Sequence, residues 1–409
     1  MTIRSLTARQ MLDSRGQWTV EASVVLTNGA EARASVPQGK STGSAEAVAL
    51  PAAEAVHNII KTIAPKVCEL EFKDQAALDA ALIKLDGTGN KSKLGANAIL
   101  ATSIAFLRAS AVATGAPLWR HVRDIYEEAG TVRGGHGTKA HTRSSKGTHP
   151  AHPRLFINMI NGGLHAGNDL HFQEYLVIPN CSTIKESVEV GTAIYHALGE
   201  LLVRRKGKAA VNLGDEGGYA PDFKSDIEPL RFLAATAKKL KLSKKVDFGL
   251  DAAATDITSL DHKELQALYP KLLRQHGLAY LEDPFDEEDF LSFAALTMRF
   301  GMHTLIAGDD LTTTNLFRME HAHAEGSVNA IIIKPNQIGT VSEALDAART
   351  ARKYNWAVIA SHRSGETNDD FIADFAYGIR ADGLKLGAPA RGERIAKYNR
   401  LLEIEAEEK

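Results

Sequence analysis

The sequence predicts an α/β protein: a small α+β N-terminal domain followed by a larger, closed α/β barrel. Three observations support this fold class. An alternating strand pattern with a hairpin turn stands near the start, and Ala- and Leu-rich helical patterns follow it. From about residue 245, short apolar runs alternate with helix-like stretches. Strands followed by helices indicate an α+β unit, whereas repeated strand–helix pairs indicate a barrel.

Residues 1–30 are predicted to form two strands. The run "WTVEASVVLT" alternates between apolar and polar positions, and Asn28-Gly29 is a hairpin turn signal. From about 46 to 124 the pattern is helical, and "SKLGANAILATSIAFLRASAVATG" predicts a buried helix because it is rich in Ala and Leu. The N-terminal capping domain is therefore assigned to residues 1–129.

Residues 130–153 have a different composition. They hold almost no apolar residues and many Gly, Ser, Thr and Pro, which is typical of a flexible linker or exposed loop. The four histidines of this segment lack chelating spacing, so a solvated loop is favoured over a metal site. The catalytic α/β barrel domain is then expected at 154–409.

Six apolar runs of the second part each end in an ionisable residue. Successive ends are 31, 27, 25, 28 and 23 residues apart, which is the length of one strand plus one helix. The ends are Asp251, Glu282, Asp309, Lys334, His362 and Lys385. Helix capping could account for one acid but not for lysines. Active sites of α/β barrels lie where the strands end, so the pattern predicts a functional site.

The composition narrows the function classes. The formal net charge of −2 does not suggest a basic surface for nucleic acid or membrane lipid. The start lacks the continuous apolar core of a secretion signal, and no apolar run reaches the ~20 residues that cross a bilayer. The two cysteines, Cys68 and Cys181, are predicted to be buried free thiols in a reducing compartment. A cytoplasmic protein is expected.

The stretch "SVPQGKSTG", residues 35–43, resembles a phosphate-binding P-loop without meeting its requirements. Ala34 stands where the first glycine should be, and Pro37 offers no N–H to a phosphate. The lead-in "GAEARA" alternates and is not an apolar strand. A nucleotide-binding loop is therefore disfavoured.

Three strand ends supply carboxylates: Asp251, Glu282 and Asp309. Around one barrel mouth they would form an all-oxygen site that suits Mg²⁺, and no His or Cys joins them to favour zinc. Three unneutralised acids at one point would repel one another strongly. Lys334 would emerge beside this cation, and positive neighbours and burial should lower its pKa until a neutral amine can take a proton.

Further candidates lie in loops. Glu216 stands between glycines, and Glu174 opens a strand just after Gln173. Two crowded carboxyls would share one proton and could act as a general acid. His165 lies in a Gly-rich loop. The run "SHRSGET" supplies His362, Arg363 and Ser364 as an anion-binding cluster, and Lys385 adds another cation. Together these groups suit proton abstraction next to a carboxylate in a phosphorylated acid.

The sequence resembles the enolase family over nearly its whole length. The segments that carry the resemblance occur in the family's order: "LDSRG", "LDGTGNKSKLGANAIL", "INGGLHAGN", "NLGDEGGYAP", "LEDPF", "GDDLT", "KPNQIGT", "SHRSGET" and "GAPARGERIAKYNRLL". The resemblance implies an enolase-type, TIM-like barrel and the reversible dehydration of 2-phosphoglycerate to phosphoenolpyruvate in glycolysis. It also implies a lysine base that works with one or two Mg²⁺, a pairing already known for the enolase superfamily.

Carried over residue by residue, the resemblance implies a role for each candidate. Lys334 would remove the C2 proton, and Glu216, supported by Glu174, would protonate the departing C3 hydroxyl. The three acids would hold the first Mg²⁺, which with Lys385 would bind the substrate carboxylate. Arg363 and Ser364 would bind phosphate. His165 would sit on a loop that closes over the substrate, and His362 would line the pocket.

The stretch at 35–43 is similar to the family's mobile "SVPSGASTG" loop, which closes over the site. Ser41 would then help to hold a second Mg²⁺. Lys40 stands where the family has alanine. Its ammonium could contact the substrate phosphate, replace part of the second metal's charge, or point into solvent.

Other departures from the family leave alternatives open. The segment after Ala45 and the loop after Asp251 are shorter than in the family, so a related lyase acting on a different phosphorylated or phosphonate acid remains a rival. A non-catalytic, enolase-like binding protein is a second rival. Glu403 stands where the family has an arginine that crosses the dimer interface towards Glu21. A homodimer is expected, but with altered contacts.

Overall fold

The computed structural model describes residues 1–40, 42–131 and 152–408. Ser41 and most of the predicted linker at 130–153 therefore lie outside the described residues. The N-terminal part begins with a three-stranded antiparallel sheet in the order β1-β2-β3. Its strands are β1 (Ile3–Leu12), β2 (Trp18–Leu26) and β3 (Glu31–Ser35).

The predicted turn at Asn28-Gly29 joins β2 to β3. Leu26 N–H donates to Ala30 O at 2.8 Å, and Gly29 adopts φ 90°, a left-handed conformation that glycine takes without strain. The two strands predicted within residues 1–30 are β1 and β2, and the alternation in "EARAS" after the turn forms a third strand that was not predicted. This strand leads into the segment at 35–43.

Five helices and a π-helical turn complete the N-terminal part. They are α1 (Ala52–Asn58), the π-helical turn Ile59–Ile63, α2 (Ala64–Val67), α3 (Gln75–Asp86), α4 (Ala96–Thr114) and α5 (Leu118–Thr131). As predicted, α4 is a buried helix that packs on β2 and β3. Its length and composition alone would suffice to span a membrane, but 78% of its most apolar window is buried inside the protein. That burial is typical of a core helix.

Eight strands form the closed barrel that the sequence predicts. Their order around the barrel is β4-β5-β6-β7-β8-β9-β10-β11, with β11 pairing back to β4. The strands are β4 (Arg154–Asn161), β5 (Glu174–Pro179), β6 (Val246–Asp251), β7 (Tyr280–Glu282), β8 (Leu305–Gly308), β9 (Ala330–Ile333), β10 (Ala357–Ser361) and β11 (Gly383–Lys385).

Helices surround this barrel. They are α6 (Ile184–Lys206), α7 (Glu228–Lys239), α8 (His262–His276), α9 (Phe290–Phe300), α10 (Leu316–Glu325), α11 (Pro335–Ile338), α12 (Val341–Lys353), α13 (Phe371–Gly378) and α14 (Gly392–Glu407), with 3₁₀ turns at Gly163–His165, Lys208–Val211 and Ala254–Asp256. Side chains such as Phe156, Tyr280 and Ile332 form a separate buried cluster on the barrel strands.

One strand departs from the parallel arrangement that the sequence suggested. β5 runs antiparallel to both β4 and β6, because no crossover helix separates β4 from β5. The first residue of β5, Glu174, therefore pairs with Asp251, the last residue of β6. Reversal of this strand brings Glu174 to the same barrel end as the carboxyl ends of the other strands.

The cysteines differ in part from their prediction. Cys68 and Cys181 are free thiols, as expected, but each is only partly buried. Both lie near element ends close to the surface, where the sequence cannot fix the depth of burial.

Candidate active site

Most of the predicted site residues line one polar cleft at the barrel mouth. Its lining includes Gly39, His165, Gln173, Glu174, Glu216, Asp251, Asp310, Lys334, Ser361, His362, Arg363, Ser364 and Lys385. Glu282 and Asp309 lie at the same end of the barrel, on β7 and just after β8. Most of these side chains are almost wholly buried. Such a concentration of buried ionisable groups in a cleft is typical of an active site.

Lys385 lies among the carboxylates of the first metal site that the sequence predicts. Its Nζ donates to Asp251 Oδ2 at 2.9 Å and to Glu282 Oε2 at 2.5 Å, and lies 3.4 Å from Glu174 Oε1. Burial lowers the pKa of Lys385, but the three carboxylates outweigh it and the pKa is raised well above its usual value. The amine is therefore an ammonium that partly neutralises this acidic pocket.

The three predicted metal ligands share the barrel mouth but do not form a tight trio. Within the described part of the chain, two clusters of possible metal ligands have their ligating atoms within 4.8 Å of one another. They are His165–Glu174–Glu216 and Asp283–Asp309–Asp310. The three carboxylates do not meet at one point, and each of them instead contacts a lysine. Lys334 Nζ contacts Asp309 Oδ2, whereas Lys385 bridges the other two acids.

Glu282 retains an acceptor that a cation could use. It is 0% exposed, and burial together with Asp251 raises its pKa to about 8. Its Oε2 accepts from Tyr280 OH and from Lys385, while no donor among the described residues reaches the buried Oε1. A buried oxygen of this kind, on a carboxyl that shares Lys385 Nζ with Asp251, fits a hard cation such as Mg²⁺.

The predicted base, Lys334, follows β9 and faces Asp309. Burial lowers the pKa of Lys334, but Asp309 raises it and the net direction is upward. The prediction that this pKa falls was therefore wrong for the protein by itself. That prediction assumed a cation beside the amine, whereas the nearest charged group in the structure is a carboxylate.

The two glutamates of the predicted acid pair lie together, but their pKa values shift in opposite directions. Burial and the Glu216 charge raise the pKa of Glu174 well above its usual range. Burial also acts to raise the pKa of Glu216, but His362 and His165 outweigh it and lower that pKa. These opposite shifts favour the protonated form of Glu174 and the ionised form of Glu216, and the sharing of one proton by the pair stays a prediction.

A tight turn positions Glu216 at the cleft. Asp215 N–H donates to His165 O at 3.0 Å, and Asn158 Nδ2 donates to Glu216 Oε2 at 3.0 Å. A Cβ at Gly218 would lie 2.7 Å from Asn161 Oδ1, so only glycine permits this approach to β4. The glycines flanking Asp215 and Glu216 therefore serve close packing, as the sequence indicated.

Two histidines contact Glu216. His165 Nδ1 lies 3.6 Å and His362 Nε2 lies 3.4 Å from Glu216 Oε1. Burial lowers the pKa of His165, and burial lowers the pKa of His362 to about 3. Burial therefore disfavours the charged form of both rings, whereas the Glu216 carboxylate favours it.

Arg394 is a site residue that sequence reasoning missed. It is 0% exposed, and its NH1 lies 2.6 Å from His362 Nδ1. It also donates to the carbonyl oxygens of Arg363 and Ser364, at 2.6 Å in each case. The segment "GERIAKYNR" lay inside a motif of the resemblance, but an arginine on a polar helix gives no sign of burial.

The covering segment (residues 35–40) is docked against the predicted anion-binding loop. Gln38 and Gly365 exchange two backbone hydrogen bonds, at 2.8 and 3.0 Å. Lys40 N–H donates to Ser364 Oγ at 2.8 Å. The Lys40 ammonium reaches Leu164 O at 2.5 Å and Asp215 Oδ2 at 3.3 Å. Its side chain is 45% exposed, so it lies at the rim next to the Glu216 turn.

The fold and site define an α/β-barrel enzyme that works by acid–base chemistry among carboxylates and lysines. Residues 3–122 match the family model for the enolase N-terminal domain, and residues 151–408 match the model for the enolase C-terminal TIM barrel domain. The chain is 41% identical to an enolase of Methanopyrus kandleri, with 98% of this chain and 95% of that protein covered. It is 38% identical to an enolase of Solanum lycopersicum, with 99% and 95% covered. The chain belongs to the enolase family.

Proposed function

We propose that this protein is a hydro-lyase, a phosphopyruvate hydratase, that converts 2-phosphoglycerate reversibly to phosphoenolpyruvate and water in glycolysis. One observation carries the proposal. A single cleft combines a lysine amine, a proton-sharing glutamate pair and an arginine beside a serine hydroxyl. These are the groups needed to remove a carbon-bound proton, release a hydroxyl and hold a phosphate.

Magnesium fits the acidic side of this cleft. Asp251, Glu282 and Asp309 would hold one ion, and Ser41 would contribute to a second. When bound, Mg²⁺ supplies positive charge beside the substrate carboxylate and stabilises the negative charge that develops there. Lys385 would add to that charge, and Gln173 and His165 would complete the contacts to the substrate.

The reaction then needs one proton to leave and one to arrive. Lys334 in its neutral amine form takes the C2 proton, the electron pair of that C–H bond forms the C2–C3 double bond, and the C3 hydroxyl leaves. Glu216 donates a proton to the hydroxyl so that it departs as water. Because the pKa shifts favour a protonated Glu174 and an ionised Glu216, donation through Glu216 includes proton transfer within the pair. Arg363 and Ser364 hold the phosphate throughout.

Phosphoenolpyruvate formation from 2-phosphoglycerate, with and without EDTA, tests this function. We expect turnover with Mg²⁺ and its loss when EDTA removes the metal. Turnover of a different phosphorylated or phosphonate acid in place of 2-phosphoglycerate would favour the related-lyase alternative. No turnover with any such acid at saturating Mg²⁺ would favour a binding protein.

The assembly, the location and the domain limits belong to the same proposal. A cytoplasmic homodimer is expected, with a capping domain at 1–129, a linker at 130–153 and the catalytic barrel at 154–409. Glu21 pairs with Arg9 at 2.7 Å and Glu403 with Arg400 at 3.2 Å within the chain. Repulsion between these two acids across an interface is therefore reduced. A monomer in sedimentation equilibrium at micromolar concentration would contradict the dimer.

Replacing Lys40 with Ala tests whether its ammonium substitutes for part of a metal's charge. If it does, the variant should need several-fold more Mg²⁺ for half-maximal activity, because the positive charge near the Glu216 turn is lost. The measurement is a Mg²⁺ titration of initial rate, with the exposed Lys271→Ala variant as the control. An unchanged Mg²⁺ dependence would reject the substitution and leave Lys40 as a rim contact.

A further inference from the structure

A buried ion pair holds the arginine that is proposed to bind phosphate. Arg363 NH1 donates to Glu46 Oε2 and NH2 donates to Glu46 Oε1, each at 3.0 Å. The Arg363 and Glu46 side chains are only 4% and 8% exposed. A two-point contact between planar groups fixes the plane of the guanidinium as well as its position. Glu46 is not among the site residues predicted from sequence.

The same carboxylate contacts the metal side of the cleft through one glutamine. Gln337 Nε2 lies 3.4 Å from Glu46 Oε1 and donates to Asp309 Oδ1 at 2.9 Å. Gln337 is 0% exposed, and its Oε1 accepts from Thr314 Oγ1 at 2.8 Å. The amide is therefore fixed in one orientation, and it links the Arg363 pair to a proposed metal ligand.

The covering segment and Gly43, which follows it, each contact a residue of this group. Gly43 N–H donates to Glu46 Oε1 at 3.2 Å. Asn336 Oδ1 accepts a hydrogen bond from Arg363 NH1 at 3.1 Å, and Asn336 Nδ2 lies 3.4 Å from Pro37 O. Asn336 thus joins the covering segment to Arg363, and Glu46 joins Arg363 to Gly43, which follows that segment in the chain.

We infer that Glu46 is a positioning residue that presents Arg363 to the substrate phosphate and couples that presentation to Gly43 and, through Gln337, to Asp309. This inference rests on the proposed function for the identity of the anion. It assigns Glu46 no contact with the reacting atoms. The opposite possibility is that Glu46 competes with phosphate for the guanidinium, in which case its removal would tighten anion binding.

Binding of inorganic phosphate, measured by calorimetry at fixed Mg²⁺, distinguishes the two. We expect Glu46→Ala to weaken phosphate binding by about tenfold or more, because a buried charge pair loses one partner and Arg363 is no longer held in place. Arg363→Ala should weaken binding similarly, and the double variant should weaken it no further, since the two residues act as one unit. Phosphate binding in Glu46→Ala as tight as in the wild type, or tighter, would overturn the inference.

Two further variants separate positioning from general stability. Glu46→Gln keeps the size and one acceptor, so it should retain more phosphate affinity than Glu46→Ala and fold even if the alanine variant does not. Glu343→Ala breaks a different ion pair, with Lys91 at 2.9 Å, and should leave phosphate affinity unchanged. Phosphate binding requires no turnover, so an enzyme inactive on 2-phosphoglycerate would refute the proposed function without affecting this test.

Discussion

Replacing Lys334 with Met is expected to reduce the rate of phosphoenolpyruvate formation by roughly 10²- to 10⁴-fold, the range that a positioned acid–base group contributes. The methionine keeps most of the side chain's length and removes the amine that accepts the C2 proton. It also removes the contact with Asp309. The loss should appear mainly in kcat, because Lys334 acts on the reacting carbon and not on the phosphate.

The control for this variant is Lys271→Met, which removes an exposed lysine far from the cleft. Lys271→Met should melt close to the wild type, whereas Lys334→Met should fold but melt at a lower temperature, because the buried Asp309 loses its partner. A Lys334→Met enzyme that keeps more than about a tenth of the wild-type kcat would show that another group is the base.

Replacing Glu282 with Gln is expected to have an effect of similar size, but through the metal. Its side chain is wholly buried and contacts both Lys385 and Tyr280, so the amide would keep the shape but could not ionise to bind a cation. We expect the Mg²⁺ concentration for half-maximal activity to rise roughly 10- to 100-fold, as loss of groups that hold or orient a metal commonly causes.

Initial rates across a Mg²⁺ titration measure this effect, and Glu200→Gln, on the exposed face of α6, is the matched control. High Mg²⁺ should restore part of the activity of Glu282→Gln, since binding is weakened and the acid–base groups remain. A Mg²⁺ dependence equal to that of the wild type would remove Glu282 from the metal site.

The residues at the strand ends could be predicted from sequence, because parallel strands that follow one another around a barrel place their carboxyl ends at the same mouth. Asp251, Glu282 and Lys385 each end an apolar run, and all three lie at one mouth. The position of Glu174 was harder to predict, because it depends on the reversed direction of β5. Helix and strand patterns do not report that reversal when both faces of a strand are buried.

The charge pairing inside the cleft could not be predicted in the same way. The sequence shows that Lys334 stands near acids, but not that Asp309 contacts it closely enough to raise its pKa. Arg394 and Glu46 are likewise charged residues in polar segments, where solvent exposure is the ordinary expectation. Glu46 is buried where the N-terminal part packs against Arg363 of the barrel, whereas Arg394 is buried where α14 packs against the segment after β10.

Exchange of the C2 hydrogen of 2-phosphoglycerate in D₂O tests the central claim most directly, because it reports proton abstraction apart from loss of the hydroxyl. With Mg²⁺, the wild-type protein should replace the C2 hydrogen with deuterium, EDTA should abolish the exchange, and Glu216→Gln should retain more exchange than dehydration. Lys334→Met should show no exchange above background. Exchange at the wild-type rate in Lys334→Met would contradict the account.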